Sequence, residues 1–180
     1  MKKTDVRSMS LIALMTALMC IFGPMSVPIG PVPVSLTVLT VYLAAYILGM
    51  KRGSLAYLLY LLLGLAGLPV LSGYSGGLGK LLGPTGGYLI GFLPMAMLSG
   101  YAVERFPSRL LLQLCGMLLG LFVCYGLGTV WLSVAAGISL GKAFTLGVLP
   151  FLAFDIGKLA IAVLVGRAVR QRMQQSLAFS

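Results

Sequence analysis

LGVLPFLAFDIGKLAIAVLVGR, residues Leu146–Arg167, is the stretch on which the reading of this chain turns. It is apolar over a bilayer's thickness, for which about 20 residues suffice in a helix. Yet it carries a carboxylate, Asp155, and an ammonium, Lys158. Charged groups at the middle of such a segment cost roughly 2.5–3.5 kcal/mol each on insertion scales, so they face a protein interior or a wet cavity and find partners. Asp155 and Lys158 are three positions apart and share one face of a helix. Two uses of that face stand open. One is a buried salt bridge that fixes helix packing, although desolvation offsets much of the attraction in such a pair. The other is the polar end of a ligand site.

The rest of the chain sets that segment in a membrane. The 180 residues are 59% hydrophobic and 9% charged, with a mean hydropathy of +1.06. A soluble domain carries about 25% charged residues, so a soluble fold is excluded. At about 20 residues per span the length holds about six helices and short loops. The expected fold class is therefore an all-α integral membrane protein of six transmembrane helices, with residues 1–180 forming one membrane-embedded domain.

The spans follow from the punctuation between apolar runs. The first covers about 8–22. Its basic start resembles a signal peptide, but Phe22-Gly23-Pro24 follows in place of a small-x-small cleavage site, so an uncleaved helix is expected. Ala13 and Ala17 on it form a small-xxx-small pair, which lets another helix approach closely, either within the chain or from a partner. The second span is about 34–50, the third 53–68, the fourth 88–103, the fifth 110–132, and the sixth is the opening stretch. Gly116 and Gly120 form a helix-packing notch on the fifth, and Trp131 stands where an interfacial aromatic would. Tyr57 and Tyr60 on the third suit packing and ligand contact equally.

Basic residues orient these spans. Lys2, Lys3, Arg7, Lys51, Arg52, Arg105, Arg109, Arg167, Arg170 and Arg172 fall on one side when both termini are placed in the cytoplasm. Only Lys80 and Lys142 fall outside, which satisfies the positive-inside rule. The net charge of +10 thus reflects topology. It forms no basic groove with interleaved aromatics, and nucleic acid is not an expected partner.

Two irregular segments lie on the outer side. GPMSVPIGPVP, Gly23–Pro33, has four prolines and two glycines and reads as an outward loop that is not a regular helix. PVLSGYSGGLGKLLGPTGG, Pro69–Gly87, has seven glycines and a single charge, Lys80, and reads as a folded-in lid. Irregular backbone is tolerated at membrane depth only where protein buries it or it lines a cavity. Gly79-Lys80 is no nucleotide loop: Tyr74 and Leu81 stand where that motif needs glycine and Ser or Thr. The chain has no histidine, and its cysteines (Cys20, Cys115, Cys124) lie apart in apolar runs. Neither enzymatic acid–base chemistry nor a metal or other cofactor is expected. An outward cavity with apolar walls, backbone amides, hydroxyls, one carboxylate and one or two ammonium groups suits a small molecule with a polar end and an apolar part.

Three runs give that chemistry a family. PIGPVPVSLTVL (Pro28–Leu39), LGLAGLPVLSGYSGGLGKLLGPTGGYLIGF (Leu63–Phe92) and PFLAFDIGK (Pro150–Lys158) follow in order and together resemble the BioY family, biotin-binding S components of energy-coupling-factor transporters. The resemblance implies six helices with cytoplasmic termini in a bacterial cytoplasmic membrane. It also implies high-affinity biotin binding near the outer face, with no cofactor. It implies that Asp155 and Lys158 meet the biotin head, whose ureido ring offers two N–H donors and a carbonyl. Tyr74, Lys80, Thr85, Gly86, Gly87 and Tyr88 would shape and close the pocket, with Lys80 the choice by charge for the valerate carboxylate. Ala13 and Ala17 would dock on a transmembrane coupling protein driven by two cytoplasmic ATPases. Many family members have Thr-Leu-Gln-Thr where this chain has Ser35-Leu36-Thr37-Val38, so Thr37 replaces a side-chain amide in the pocket. The competing readings are an S component for another vitamin and a non-transporting membrane scaffold.

Overall fold

A computed structural model describes residues 3–29 and 32–178; Lys2, Gly30 and Pro31 lie outside the described residues. The elements in order are α1 (Lys3–Phe22), β1 (Ser26–Ile29), β2 (Val32–Ser35), α2 (Thr37–Leu65), α3 (Leu78–Leu82), α4 (Gly86–Arg105), α5 (Leu110–Ala136), α6 (Leu140–Gly147) and α7 (Leu149–Ala178). Among the described residues four helices are long and apolar enough to cross a membrane: Thr37–Leu65, Gly86–Arg105, Leu110–Ala136 and Leu149–Met173. A shorter apolar helix covers Val6–Phe22.

The length of α2 conceals a reversal. Gly49 has φ +79° and ψ −169°, which is not helical backbone. A Cβ placed on Gly53 would stand 3.0 Å from the Ala44 carbonyl oxygen and from Ala45 Cα. Residues eight apart in a continuous helix are separated by about 12 Å along its axis. The limbs 37–48 and 50–65 therefore lie side by side, folded back at Gly49. The expected turn at Lys51-Arg52 sits two residues earlier, because glycine alone adopts this backbone region without strain. The Glu104 side chain of α4 fills the space over Gly49.

The segment 23–33, expected as an irregular outward loop, departs from that expectation. It enters an antiparallel hairpin in which Ser26 pairs with Ser35, Val27 with Val34, Pro28 with Pro33 and Ile29 with Val32. The expectation of irregular backbone rested on the prolines, but prolines are compatible with a two-stranded ribbon. Two that face each other can occupy a pair that exchanges no N–H···O bonds. The flanking Val27–Val34 and Ile29–Val32 pairs then carry the ladder.

The core is built by tyrosines and glycines. Tyr42, Tyr57 and Tyr60 of α2 are fully buried. Their hydroxyls donate to the carbonyls of Met117 (3.1 Å), Leu89 (2.6 Å) and Val70 (3.0 Å), which ties α2 to α5, α4 and the following loop. Tyr57 packs edge-on against Phe92. These two tyrosines of the second limb are thus packing residues. The α4–α5 seam is closed by small residues: Gly120 lies against Met95 and Ser99, Gly116 against Ala102, and Gly91 against Cys124. α1 rests on α2 through Ile12, Met15, Thr16 and Met19, one helical stripe. Its opposite face, with Ala13 and Ala17, is exposed. α7 begins after Val148, whose φ of −127° and ψ of −54° break the chain from α6. Pro150 sits in the first turn of α7, where a missing N–H costs nothing.

Candidate functional site

Asp155 and Lys158 sit one turn apart on α7, 3% and 8% exposed, so nearly all the solvent has been replaced by protein. Lys158 Nζ donates to Asp155 Oδ1 at 2.7 Å. Tyr125 of α5 donates its hydroxyl to the other carboxylate oxygen, Oδ2, also at 2.7 Å. Charge-assisted bonds of this length are the strong ones. Each oxygen of the carboxylate therefore already accepts one hydrogen bond before any ligand arrives.

The three residues face a cavity of about 570 Å³, its open side included. Val32, Pro33 and Ser35 of the hairpin, Thr37 and Val38 at the start of α2, and Ser72 line one side. Thr85, Tyr88, Leu89 and Phe92 of α4 with Cys124 and Tyr125 of α5 line another, and Phe151, Asp155 and Lys158 of α7 complete it. The walls are mainly apolar. The polar groups are hydroxyls plus one ion pair, a combination typical of small-molecule sites, which run from about 300 to 1,000 Å³.

The sequence-derived residues divide into three groups. Asp155, Lys158, Thr37, Thr85 and Tyr88 all reach the cavity. Thr37 is 2% exposed and accepts a bond from Ser35 Oγ at 2.9 Å, so the hydroxyl that stands in place of an amide is already engaged. The Tyr88 ring lines the cavity, while its hydroxyl donates to Gly147 O at 2.9 Å and ties α4 to the end of α6. Gly86 and Gly87 lie outside the cavity lining and are buried against Trp131. A Cβ on Gly87 would come 2.7 Å from Leu127 O and 2.9 Å from Trp131 Cγ. Their small size lets α4 approach α5. Trp131, expected as an interfacial aromatic, instead donates its indole N–H to Gly83 O at 2.9 Å and clamps the lid segment to α5.

Tyr74 and Lys80 belong to the lid but not to the cavity lining. Tyr74 is 69% exposed with φ +54°, and it borders an adjoining outward groove with Phe154, Ser35 and Lys158. Ser35 and Lys158 thus form the wall between groove and cavity. Lys80 sits half-buried in α3, and burial pushes its ammonium below the usual lysine range. The lid itself is bonded in place. Gly77 N–H donates to Gly64 O at 2.7 Å, Gly73 N–H to Pro24 O at 3.1 Å, and Leu71 and Ser75 exchange a backbone pair.

Sequence reasoning missed Tyr125, Cys124, Phe92, Phe151 and Ser72. Tyr125 left a signal, a polar hydroxyl in the middle of an otherwise apolar span. Ser72 lay inside the glycine-rich lid with nothing to set it apart from the lid's other hydroxyls, and Cys124, Phe92 and Phe151 left no signal, because apolar cavity walls and apolar core have the same sequence signature. Among the described residues no three His, Cys, Asp or Glu side chains come together as a metal site would require.

The family model of the BioY family matches residues 1–175. The chain belongs to the BioY family. A probable biotin transporter BioY of Pyrococcus horikoshii is 43% identical over 164 residues, covering 91% of this chain and 96% of that protein. The biotin transporter BioY of Thermotoga maritima is 40% identical over 156 residues, with 87% and 91% covered. A crystal structure of the S-component for biotin from an ECF-type ABC transporter superposes with a TM-score of 0.88 at 32% identity, covering 95% of both chains. The apolar helices described above make this BioY family member a multi-pass membrane protein.

Proposed function

We propose that this chain is the biotin-binding, substrate-specific subunit of an ECF-type transporter and has no enzymatic activity. The single observation that carries the reading is the Asp155–Lys158 pair held by Tyr125 at one wall of a mainly apolar cavity. A ureido head presents two donors and one acceptor, and a carboxylate beside an ammonium complements them. The apolar walls from Val38, Leu89, Phe92 and Phe151 suit the thioether ring and the valerate methylenes. Thr37, Thr85, Ser35 and Ser72 supply neutral hydroxyls around them.

The finer parts of the reading are proposals of the same kind. Six spans arise when the limbs 37–48 and 50–65 each cross the membrane beside α1, α4, α5 and α7. Cytoplasmic termini follow from the basic residues at Arg105, Arg109, Arg167, Arg170 and Arg172, in the cytoplasmic membrane of a bacterium. Tyr74 and Lys80 act from the lid, with Gly86 and Gly87 setting how closely α4 and its lid approach α5. Lys80 remains the proposed partner of the valerate carboxylate, through closure of the lid. Ala13 and Ala17, exposed and unused by packing within the chain, dock on a transmembrane coupling protein that works with two cytoplasmic ATPases.

Equilibrium dialysis of the purified protein against radiolabelled biotin tests the reading. Saturable one-site binding that other vitamins fail to displace is expected. Displacement by another vitamin at equal concentration would transfer the site to that ligand. Absence of saturable binding would leave the ion pair as a scaffold element and overturn the proposal.

A further inference from the structure

A second cleft lies at the opposite end of α7, away from the proposed biotin site. It spans about 600 Å³ and is lined by Tyr46, Val103, Pro107, Ser108, Gln113, Arg167, Arg170 and Gln171. Its floor is rigid. The Gln113 side chain is 3% exposed and accepts from the Tyr46 hydroxyl at 2.5 Å. It also donates to the carbonyls of Phe106 (2.8 Å) and Pro107 (3.1 Å), fixing the α4–α5 turn. Arg170 is held too: one N–H donates to Tyr46 O at 3.1 Å, a carbonyl near the end of the 37–48 limb. Five donors belong to a guanidinium, so most of those on Arg170 remain for something else. Arg167 is exposed beside it.

Among the described residues no carboxylate lines this cleft. Glu104, the nearest acidic residue by shared lining, borders a neighbouring hollow with Arg52 and Arg170, where it packs over Gly49. Arg105 and Arg109 flank Pro107 and Ser108 from the other side. The N-terminal turns of the long helix α5 edge the same space, and a helix N-terminus favours an anion. The neighbouring surface is apolar. Leu164, one turn toward the membrane from Arg167 on the same face of α7, is 72% exposed, and Ile161, a further turn along, is 50% exposed. Arg170, held on Tyr46, and the exposed Arg167 thus sit where the apolar belt ends, with greasy surface leading away from them.

We propose that this cleft binds the phosphate of an anionic phospholipid, with Arg167 and Arg170 on the headgroup and the acyl chains along Leu164 and Ile161. Basic pockets between transmembrane helices at the membrane surface are suited to such headgroups, and the arginine fork matches phosphate oxygens two at a time. The proposal is independent of the biotin reading; it rests only on the membrane embedding of α5 and α7.

Native mass spectrometry of the full chain with phosphatidylglycerol, phosphatidylcholine or inorganic phosphate tests it. Phosphatidylglycerol is expected to stay bound in preference to phosphatidylcholine. Arg167→Gln and Arg170→Gln should each weaken it about fivefold, the per-residue attraction of a basic side chain for an anionic lipid surface. Arg172→Gln makes the same charge change on α7 outside the cleft and should leave retention unchanged. Equal retention of the two lipids overturns the proposal, as does an equal loss in Arg172→Gln. Displacement of the lipid by millimolar inorganic phosphate would make this a free-anion site and overturn the lipid assignment. If the Gln variants keep phosphatidylglycerol but no longer assemble with partner subunits, the cleft is a protein contact and the proposal fails. Where a Gln variant does not insert, Arg167→Lys keeps the charge without the fork and should hold phosphatidylglycerol more weakly than wild type; retention equal to wild type overturns the assignment of the fork to the headgroup. Biotin affinity on the same samples keeps the two readings separable.

Discussion

Removing the Lys158 ammonium is the sharpest perturbation the site allows. In Lys158→Met the Asp155 carboxylate stays 3% exposed but loses the cation 2.7 Å from Oδ1, retaining only the Tyr125 hydroxyl on Oδ2. Breaking one partner of a buried pair typically costs about 3–5 kcal/mol, most of it from the charge left behind. Asp155→Asn is milder at the Tyr125 side, where an amide oxygen still accepts, but it strands the ammonium. The double variant Asp155→Asn, Lys158→Met removes both charges. Its unfolding cost is expected to be well below the sum of the singles, the sub-additivity of residues that share one interaction. Ligand affinity should behave differently. On the proposed function, each single and the double remove part of what would meet a ureido head, and truncating a buried charged partner costs about 2–5 kcal/mol of binding. That corresponds to about 30-fold to several-thousand-fold in Kd. Thermal unfolding in detergent gives the first quantity and equilibrium dialysis with radiolabelled biotin the second. A double variant that regains stability while binding biotin with wild-type affinity would refute the reasoning, because the pair would then be packing alone.

Three further outcomes are expected. Tyr125→Phe removes the donor to Asp155 Oδ2 and should weaken biotin by about tenfold or more by the same dialysis, since a hydrogen bond to a charged group contributes about 1.5–3 kcal/mol; unchanged affinity would confine Tyr125 to packing. Gly49→Ala forces a side chain into φ +79°, ψ −169° and should lower stability by about 1–3 kcal/mol, read as a lower unfolding midpoint with biotin affinity retained. Ala13→Trp and Ala17→Trp place bulk on the exposed face of α1 and should leave biotin binding intact while abolishing uptake in cells that carry the coupling subunits. Undiminished uptake would end the docking proposal.

The opening stretch shows how far sequence reaches in a membrane chain. Two charges in an apolar run have few places to go, and their spacing on a helix puts them on one face. Asp155 and Lys158 were therefore legible as a buried polar face, and their bond lies along it. The α4–α5 notch at Gly116 and Gly120 was legible for the same reason, since close helix approach demands missing side chains. What the sequence hid was relational. The hairpin at 26–35 was masked by prolines, which argue against strands except in a ribbon with free edges. Gly86 and Gly87 looked like ligand-facing amides because glycine permits both backbone exposure and close packing, and only Trp131 across the seam shows which use their position makes of them. Tyr74 and Lys80 share a lid with Thr85, yet only Thr85 reaches the cavity lining, because α3 carries Lys80 to one side while the positive φ of Tyr74 turns it outward.

The bonded state of the ion pair bears on how a ligand would join it. A carboxylate offers about four acceptor directions and an ammonium three donors. Asp155 has used one on each oxygen, and Lys158 has used one N–H. Two acceptor directions on Asp155 and two donors on Lys158 are therefore left, which matches the two N–H groups and the carbonyl of a ureido ring. On the proposed function, biotin can add to the pair without breaking it. Rupture would expose a charge at a cost of about 3–5 kcal/mol, and the association rate would carry that penalty. Addition carries none, because Tyr125 and Lys158 already hold the carboxylate in place and the ordering cost has been met in folding. The two routes separate in Tyr125→Phe. If biotin adds to an intact pair, losing the hydroxyl loosens Asp155 and speeds dissociation. If biotin must first break the pair, a looser Asp155 speeds association instead. Stopped-flow measurement of both rates on Tyr125→Phe distinguishes them, and a faster association rate would reject the preassembled site argued from the two 2.7 Å bonds.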